Sequence, residues 1–138
     1  AVDILGTPGQ KANQKKALEV LAARLIERAQ SAKNNERAND WRKAAVAFAR
    51  LRDVEQVEFC FQKATSTAPT DFRIRYEYGS WLLTQGRTAD ASEHLQWCSN
   101  IAPHDSRVKD VMVELNRRIR RNHDVRPASA TSVEPIHP

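Results

Sequence analysis

Apolar residues fall along this chain at spacings of three and four, the period of one face of a helix. Leu18, Leu21, Ala22, Leu25 and Ala29 form the first such stripe, with Lys15, Lys16, Glu19, Arg24, Glu27 and Arg28 largely opposite. Ahead of it, Thr7-Pro8-Gly9-Gln10 offers a capping residue, a proline for the first helical position and a returning Gln, so a helix is predicted to begin there. Asn34 and Asn35 tolerate the left-handed conformation of helix C-termini and are predicted to end it. Trp41, Ala44, Ala45 and Phe48 form a second stripe, and Val57, Phe61, Ala64 and Ala68 a third.

From about residue 38 the pattern repeats at a fixed offset of 34 residues. Ala68-Pro69-Thr70-Asp71 returns as Ala102-Pro103-His104-Asp105, each followed by Arg and a β-branched residue, Arg73-Ile74 and Arg107-Val108. The stripe Val57, Phe61, Ala64, Ala68 corresponds to Ala91, Leu95, Cys98, Ala102, and the stripe of Trp41, Ala44, Ala45 and Phe48 to Arg75, Tyr78, Gly79 and Leu82, with Trp81 beside it. Each unit is therefore two helices. Asp53 is placed to cap the helix beginning near Val54, Gly86 to end one helix and Thr88 to begin the next, while Pro69 and Pro103 forbid continuation and Asp71 and Asp105 each cap the succeeding helix.

One more helix is predicted after Asp105, with Val108, Val111, Met112, Leu115 and Ile119 on one side and Arg117, Arg118, Arg120 and Arg121 on the other. From Asp124 the chain holds Pro127, Pro135 and Pro138 among Ser, Thr and Ala without an apolar period, which predicts a disordered tail. The expected organisation is an N-terminal loop and amphipathic helix over residues 1–37, repeats over 38–71 and 72–105, a capping helix over 106–123 and a tail over 124–138. The fold class expected is all-α, antiparallel helix-turn-helix repeats stacked as a short solenoid. Each repeat buries its face only against neighbours and about three are needed for stability, so the first helix is expected either to pack back as a cap, the favoured reading, or to dock on another subunit.

The unit of Trp, a small residue, an aromatic, then Phe, Ala and Pro resembles the tetratricopeptide repeat. Trp41, Ala45, Phe48, Phe61, Ala64 and Pro69 carry the resemblance in the first repeat, and Gly79, Ala91 and Pro103 in the second, where Gly79 takes the family's small position at the close helix crossing. Arg75 departs from it, standing where the aromatic belongs, as do Val57 and Cys98 in place of Ala. The resemblance implies a right-handed superhelix whose inner helices line a groove for peptides or partner domains. Carried over position by position, the partner-binding residues it implies include Arg42, Val46 and Arg50, then Arg73, Tyr76, Ser80 and Leu83, then Arg107, Arg117 and Arg118. The set tilts positive, and Arg forms bidentate bonds with carboxylates, so an acidic or C-terminal peptide is the expected guest. The family's carboxylate clamp is not expected here, because Val46 and Glu77 stand where its Asn residues belong.

Composition narrows the classes further. With 41% hydrophobic and 28% charged residues and only four Gly, the chain is not collagenous, disordered throughout or a disulfide scaffold. No run approaches the length of a membrane span. The chain opens on Ala1 rather than Met, which leaves room for a removed signal peptide, anchor or preceding domain. It reads as soluble, cytoplasmic or periplasmic, with the compartment undetermined.

The candidate chemistry is sparse. There is no Gly-rich phosphate loop, no nucleophile beside a His with an orienting acid and no HExxH, so no enzyme activity and no cofactor is expected. Cys60 and Cys98 lack metal or redox spacing and are read as structural. His94 and Cys98, at i and i+4, are read as a solvated His beside a small core residue rather than a metal pair. Trp81 is read as core, whereas Trp97, aligned with Lys63, is left between packing and exposed contact.

The net charge of +5 concentrates toward the C-terminal end, where four Arg could meet phosphates, but no aromatic interleaving or groove-reading motif accompanies them. The expected function is a non-catalytic protein–protein interaction module, an adaptor or a structural subunit of a hetero-complex. The alternatives are an accessory domain of a longer membrane-anchored or enzymatic protein, or a basic nucleic-acid-binding helical domain.

Overall fold

A computed structural model describes residues 8–31 and 33–133 of the chain, with side chains placed for most of them. Among these residues there are six helices and no strand: α1 (Pro8–Ser31), α2 (Asn34–Arg50), α3 (Val54–Thr67), α4 (Phe72–Thr84), α5 (Thr88–Ile101) and α6 (Ser106–Val133). The fold is all-α, with neighbouring helices packed on one another in the manner of a helical repeat. Two compact units divide it, residues 1–74 and 75–138, so the division falls within α4.

The 34-residue offset survives in the backbone, since α3 and α5 are both 14 residues long and begin at Val54 and Thr88. The turns explain why. Gln56 N–H donates to Asp53 Oδ1 at 3.3 Å, Ile74 N–H to Asp71 Oδ1 at 3.1 Å, and Arg107 and Val108 N–H to Asp105 Oδ1 at 2.8 and 3.3 Å. Three helix starts thus have their first-turn donors satisfied by an aspartate, each bond contributing roughly 1 kcal/mol. Thr88 opens α5 as expected, although Arg87 at its N-cap position supplies no side-chain bond.

Gly86 closes α4 at φ +79°, and the equivalent position in the first unit is Arg52 at φ +60°. A side chain in the left-handed region is strained by roughly 1 kcal/mol, and Gly is not. Arg52 is exposed, so little packing is lost on its removal. Arg52→Gly is expected to raise stability by up to about 1 kcal/mol in chemical denaturation, despite the greater freedom of the unfolded chain. A lower denaturation midpoint would contradict it.

In the first unit α1 packs on α2 and α2 on α3. Ala22 and Ala29 at 0% exposure and Leu25 at 5% form the buried edge of α1, and Ala38, Trp41, Ala44 and Ala45 that of α2. Val57, Cys60, Phe61 and Ala64 complete this core from α3. The capping role expected of the first helix therefore has a packing basis within its own unit. In the second unit Tyr78, Leu82, Ala91, Leu95, Cys98, Val108 and Leu115 are buried, and α5 packs on α6. Buried Val57, Phe61 and Ala64 stand one repeat before buried Ala91, Leu95 and Cys98.

Three local expectations are corrected. Asn34 and Asn35 begin α2 rather than end α1, which stops at Ser31; Lys33, extended at φ −74° and ψ 164°, forms the break, and its carbonyl accepts from Arg37 N–H at 2.7 Å. Asn suits either end of a helix, so the residue type alone did not decide. The last helix does not end near residue 123 but continues to Val133. Extending an existing helix requires no new nucleus, and Ala128 and Ala130 favour it, although Pro127 forfeits one main-chain bond. Trp81 is half-buried rather than core, stacked on Tyr78 with ring centroids 6.4 Å apart. The proposed capping residue Thr7 and residues 134–138 of the expected tail lie outside the described residues.

Candidate functional site

The residues singled out as partner-binding separate by unit. In the first, Arg42, Val46 and Arg50 succeed one another at helical spacing along α2, and α1 lies beside them. Leu18, Leu21 and Leu25 of α1 meet Val46 and Ala47 of α2 in a cleft of about 340 Å³, with Arg28, Arg42, Lys43 and Arg50 around it. Arg42 is only 6% exposed, and its Nε and Nη2 donate to Asn39 Oδ1 at 3.2 and 3.0 Å. It serves the fold rather than presenting its charge to solvent, because α1 covers this part of α2. Val46 is 38% exposed and Arg50 is exposed. Arg73, at the start of α4, is also exposed.

Sequence reasoning missed the cleft, because α1 lies outside the repeat and the register of its packing on α2 is not encoded by the 34-residue offset. It also missed Asp40, which is buried to 2% exposure with Arg28 Nε 3.7 Å from its Oδ2. At that separation, with Arg28 largely exposed, the pair is a weak one that offsets the cost of burying a carboxylate only in part.

In the second unit α4 and α6 bring the remaining residues together. The Arg107 guanidinium lies over the Tyr76 ring, 5.5 Å from its centroid, and its Nη2 pairs with Asp105 at 3.1 Å. That hydrogen-bonded pair holds the Asp105 carboxyl below the usual carboxylate range. Leu83 is buried, and Arg118 Nη1 donates at 2.9 Å to its carbonyl, which also accepts from Gly86 N–H at 3.0 Å near the end of α4. Arg118 Nε also bonds Glu114 at 2.9 Å, and Arg117 pairs with the same carboxylate at 2.7 Å. Arg118 first, then the neighbouring Arg charges, hold Glu114 below its ordinary range. Two of the four clustered arginines thus share one carboxylate, and Arg118 acts as a pin between helices. Ser80 is half-buried on the same stripe of α4 as Tyr76, and its Oγ is enclosed without a hydrogen-bond partner.

The departure at Arg75 has a structural counterpart. Its guanidinium stacks on the half-buried Trp97, 4.9 Å from the ring centroid. In the first unit the equivalent positions hold Trp41 and Lys63, which meet through Phe59: Trp41 contacts that ring edge-on at 5.7 Å, and Lys63 Nζ lies 5.6 Å from its centre. Aromatic and cation have exchanged helices between the repeats, so each unit keeps a cation–π contact on this face. The paired exchange is visible at the 34-residue offset and is the signal that finds it.

His94 is half-buried against Tyr78, with ring centroids 4.7 Å apart, rather than solvated. Cys98 and Cys60 are buried free thiols, pushed up to about 11 and about 12, chiefly by desolvation; Arg75 partly opposes this at Cys98, and Asp53 reinforces it at Cys60. Thiols held protonated in this way are inert packing groups. Among the described residues no three potential metal ligands cluster and no helix is long and apolar enough to cross a membrane. Compared with known families, curated proteins and solved structures, the chain matches none.

Proposed function

We propose that this chain is a non-catalytic protein–protein interaction module of the tetratricopeptide-like kind, acting as an adaptor or as a subunit of a hetero-complex. The observation that carries the reading is the α4–α6 face of the second unit, where half-buried Tyr76 supports the exposed guanidinium of Arg107. Tyr and Arg are both enriched at the centres of protein interfaces, and an arginine already held over an aromatic ring offers its contact area at little further cost in order. Arg107 pairs with Asp105 at 3.1 Å within the unit, and an acidic side chain or a chain terminus of a partner would offer its guanidinium the same kind of group. The buried helix-turn-helix frame supplies rigidity beneath it, so the face is presented without prior ordering.

The test is recovery of native partners by affinity purification and mass spectrometry. Tyr76→Ala combined with Arg107→Glu is expected to abolish that recovery while leaving the helical circular dichroism intact, since Arg107 is exposed and Glu is well tolerated in the first turn of a helix. Unchanged recovery by the double variant would remove the α4–α6 face as the binding surface.

A further inference from the structure

We infer that the cleft between α1 and α2 is a second docking site, and that it takes an acidic amphipathic helix of a partner protein. The site belongs to the first unit, so it stands or falls separately from the α4–α6 face. Its floor is apolar and partly open: Leu21 is 47% and Val46 38% exposed, beside Leu18 and Leu25. Exposed leucine and valine side chains scattered singly are ordinary, but here they converge from two helices onto one concavity.

The shape selects the occupant's backbone. Leu18, Leu21 and Leu25 and, across from them, Lys43, Val46 and Arg50 are two helical stripes side by side, each spanning roughly 10 Å at the helical rise. Such a groove has no sheet edge with which an extended peptide could pair its main chain, which favours an occupant that satisfies its own backbone bonds. A helix of two to three turns does so and brings apolar side chains to one side at i, i+3 and i+7, matching the length of the floor.

The rim selects the charge. Exposed Lys43 and Arg50 border the floor together with the exposed Arg28, and among the described residues lining the cleft none is acidic. Asp40, whose Oδ2 lies 3.7 Å from Arg28 Nε, is buried. A second copy of this chain seated symmetrically on the cleft would bring one basic rim against another, which disfavours self-association here. Glutamate or aspartate flanking the apolar stripe of a partner helix complements the same rim.

The test uses the full chain, labelled with ¹⁵N, and a synthetic helical peptide of about twelve residues with Leu at i, i+3 and i+7 and Glu on the flanks. Saturable shifts of the Leu18, Leu21 and Val46 amides are expected. Replacing Glu by Lys in the peptide, or introducing Lys43→Glu with Arg50→Glu, is expected to weaken binding about tenfold, as the loss of a few surface charge pairs would. Both substituted residues are exposed, and raised salt weakening the unmodified pair provides a readout that needs no variant. No shift at the cleft, equal binding of the Lys peptide, indifference to the charge reversals and to salt, or cleft shifts that depend on protein concentration alone would each overturn the proposal, the last in favour of a second copy.

Discussion

Removal of residues 1–33 is expected to lower the melting temperature by about 10 °C or more, although no repeat position is touched. The reason lies in what α1 covers. Leu25 at 5% exposure and Ala22 and Ala29 at 0% bury their side chains against the rest of the first unit, and loss of α1 returns to water the part of α2 that it covers. At about 25 cal/mol per Å² of apolar surface, one leucine and two alanines with the surface they cover represent on the order of 4 kcal/mol. For a chain of this size each kcal/mol moves the midpoint by a few degrees. One effect opposes the loss: Asp40 would regain water, and its 3.7 Å pair with the mostly exposed Arg28 is too weak to be missed. Apolar burial outweighs it. Thermal melts by circular dichroism check this, and an unchanged midpoint would mean that α1 does not cap the first repeat.

Gly79→Val is expected to cost about 3 kcal/mol, more than a surface substitution in any helix here. A Cβ built at Gly79 meets Leu95 Cγ and Cδ2 at 2.8 Å and His94 Cβ at 3.2 Å. Cγ is a branch point, not the free end of a flexible chain, and Leu95 is fully buried, so α5 must move or Leu95 must leave its rotamer. Gly79→Ala has two opposed terms. Alanine gains nearly 1 kcal/mol of helix propensity, while overpacking costs roughly 1 to 3 kcal/mol. The second is larger, so a net loss of about 1 kcal/mol is expected. Adding Leu95→Ala should make the Gly79→Val loss markedly less than additive, because the shortened side chain removes the clash. Additive losses in urea denaturation would show that the crossing is not set by this contact.

Ala45, one repeat earlier, is buried at 0% exposure with its Cβ in place. The crossing in the second unit is therefore the more closely approached, and Gly79 is the residue that permits it. The small-residue pattern marked both positions, but only the 2.8 Å approach says which of them tolerates no methyl group.

The sequence by itself determined the helices, their order and most of their limits. Aspartates 53, 71 and 105 and Gly86 act on bonds within one turn, and such local chemistry is legible without a partner. The buried sets of α3 and α5 were equally legible, because a helical stripe and its copy one repeat later must face the same kind of neighbour. Position in the repeat did not determine availability. Arg42 and Leu83 hold groove positions by resemblance yet are buried, since burial depends on what lies across from a side chain. Arg118, a groove residue by resemblance, bonds a carbonyl 35 residues away.

Tertiary structure alone decided the register of α1 on α2, and with it the cleft of Leu21, Val46, Lys43 and Arg50. That register arises from packing between a helix outside the repeat and one inside it, so no internal periodicity could record it. It was also packing that placed Arg75 on Trp97, turning an apparent defect in the pattern into a contact that only two helices together can make.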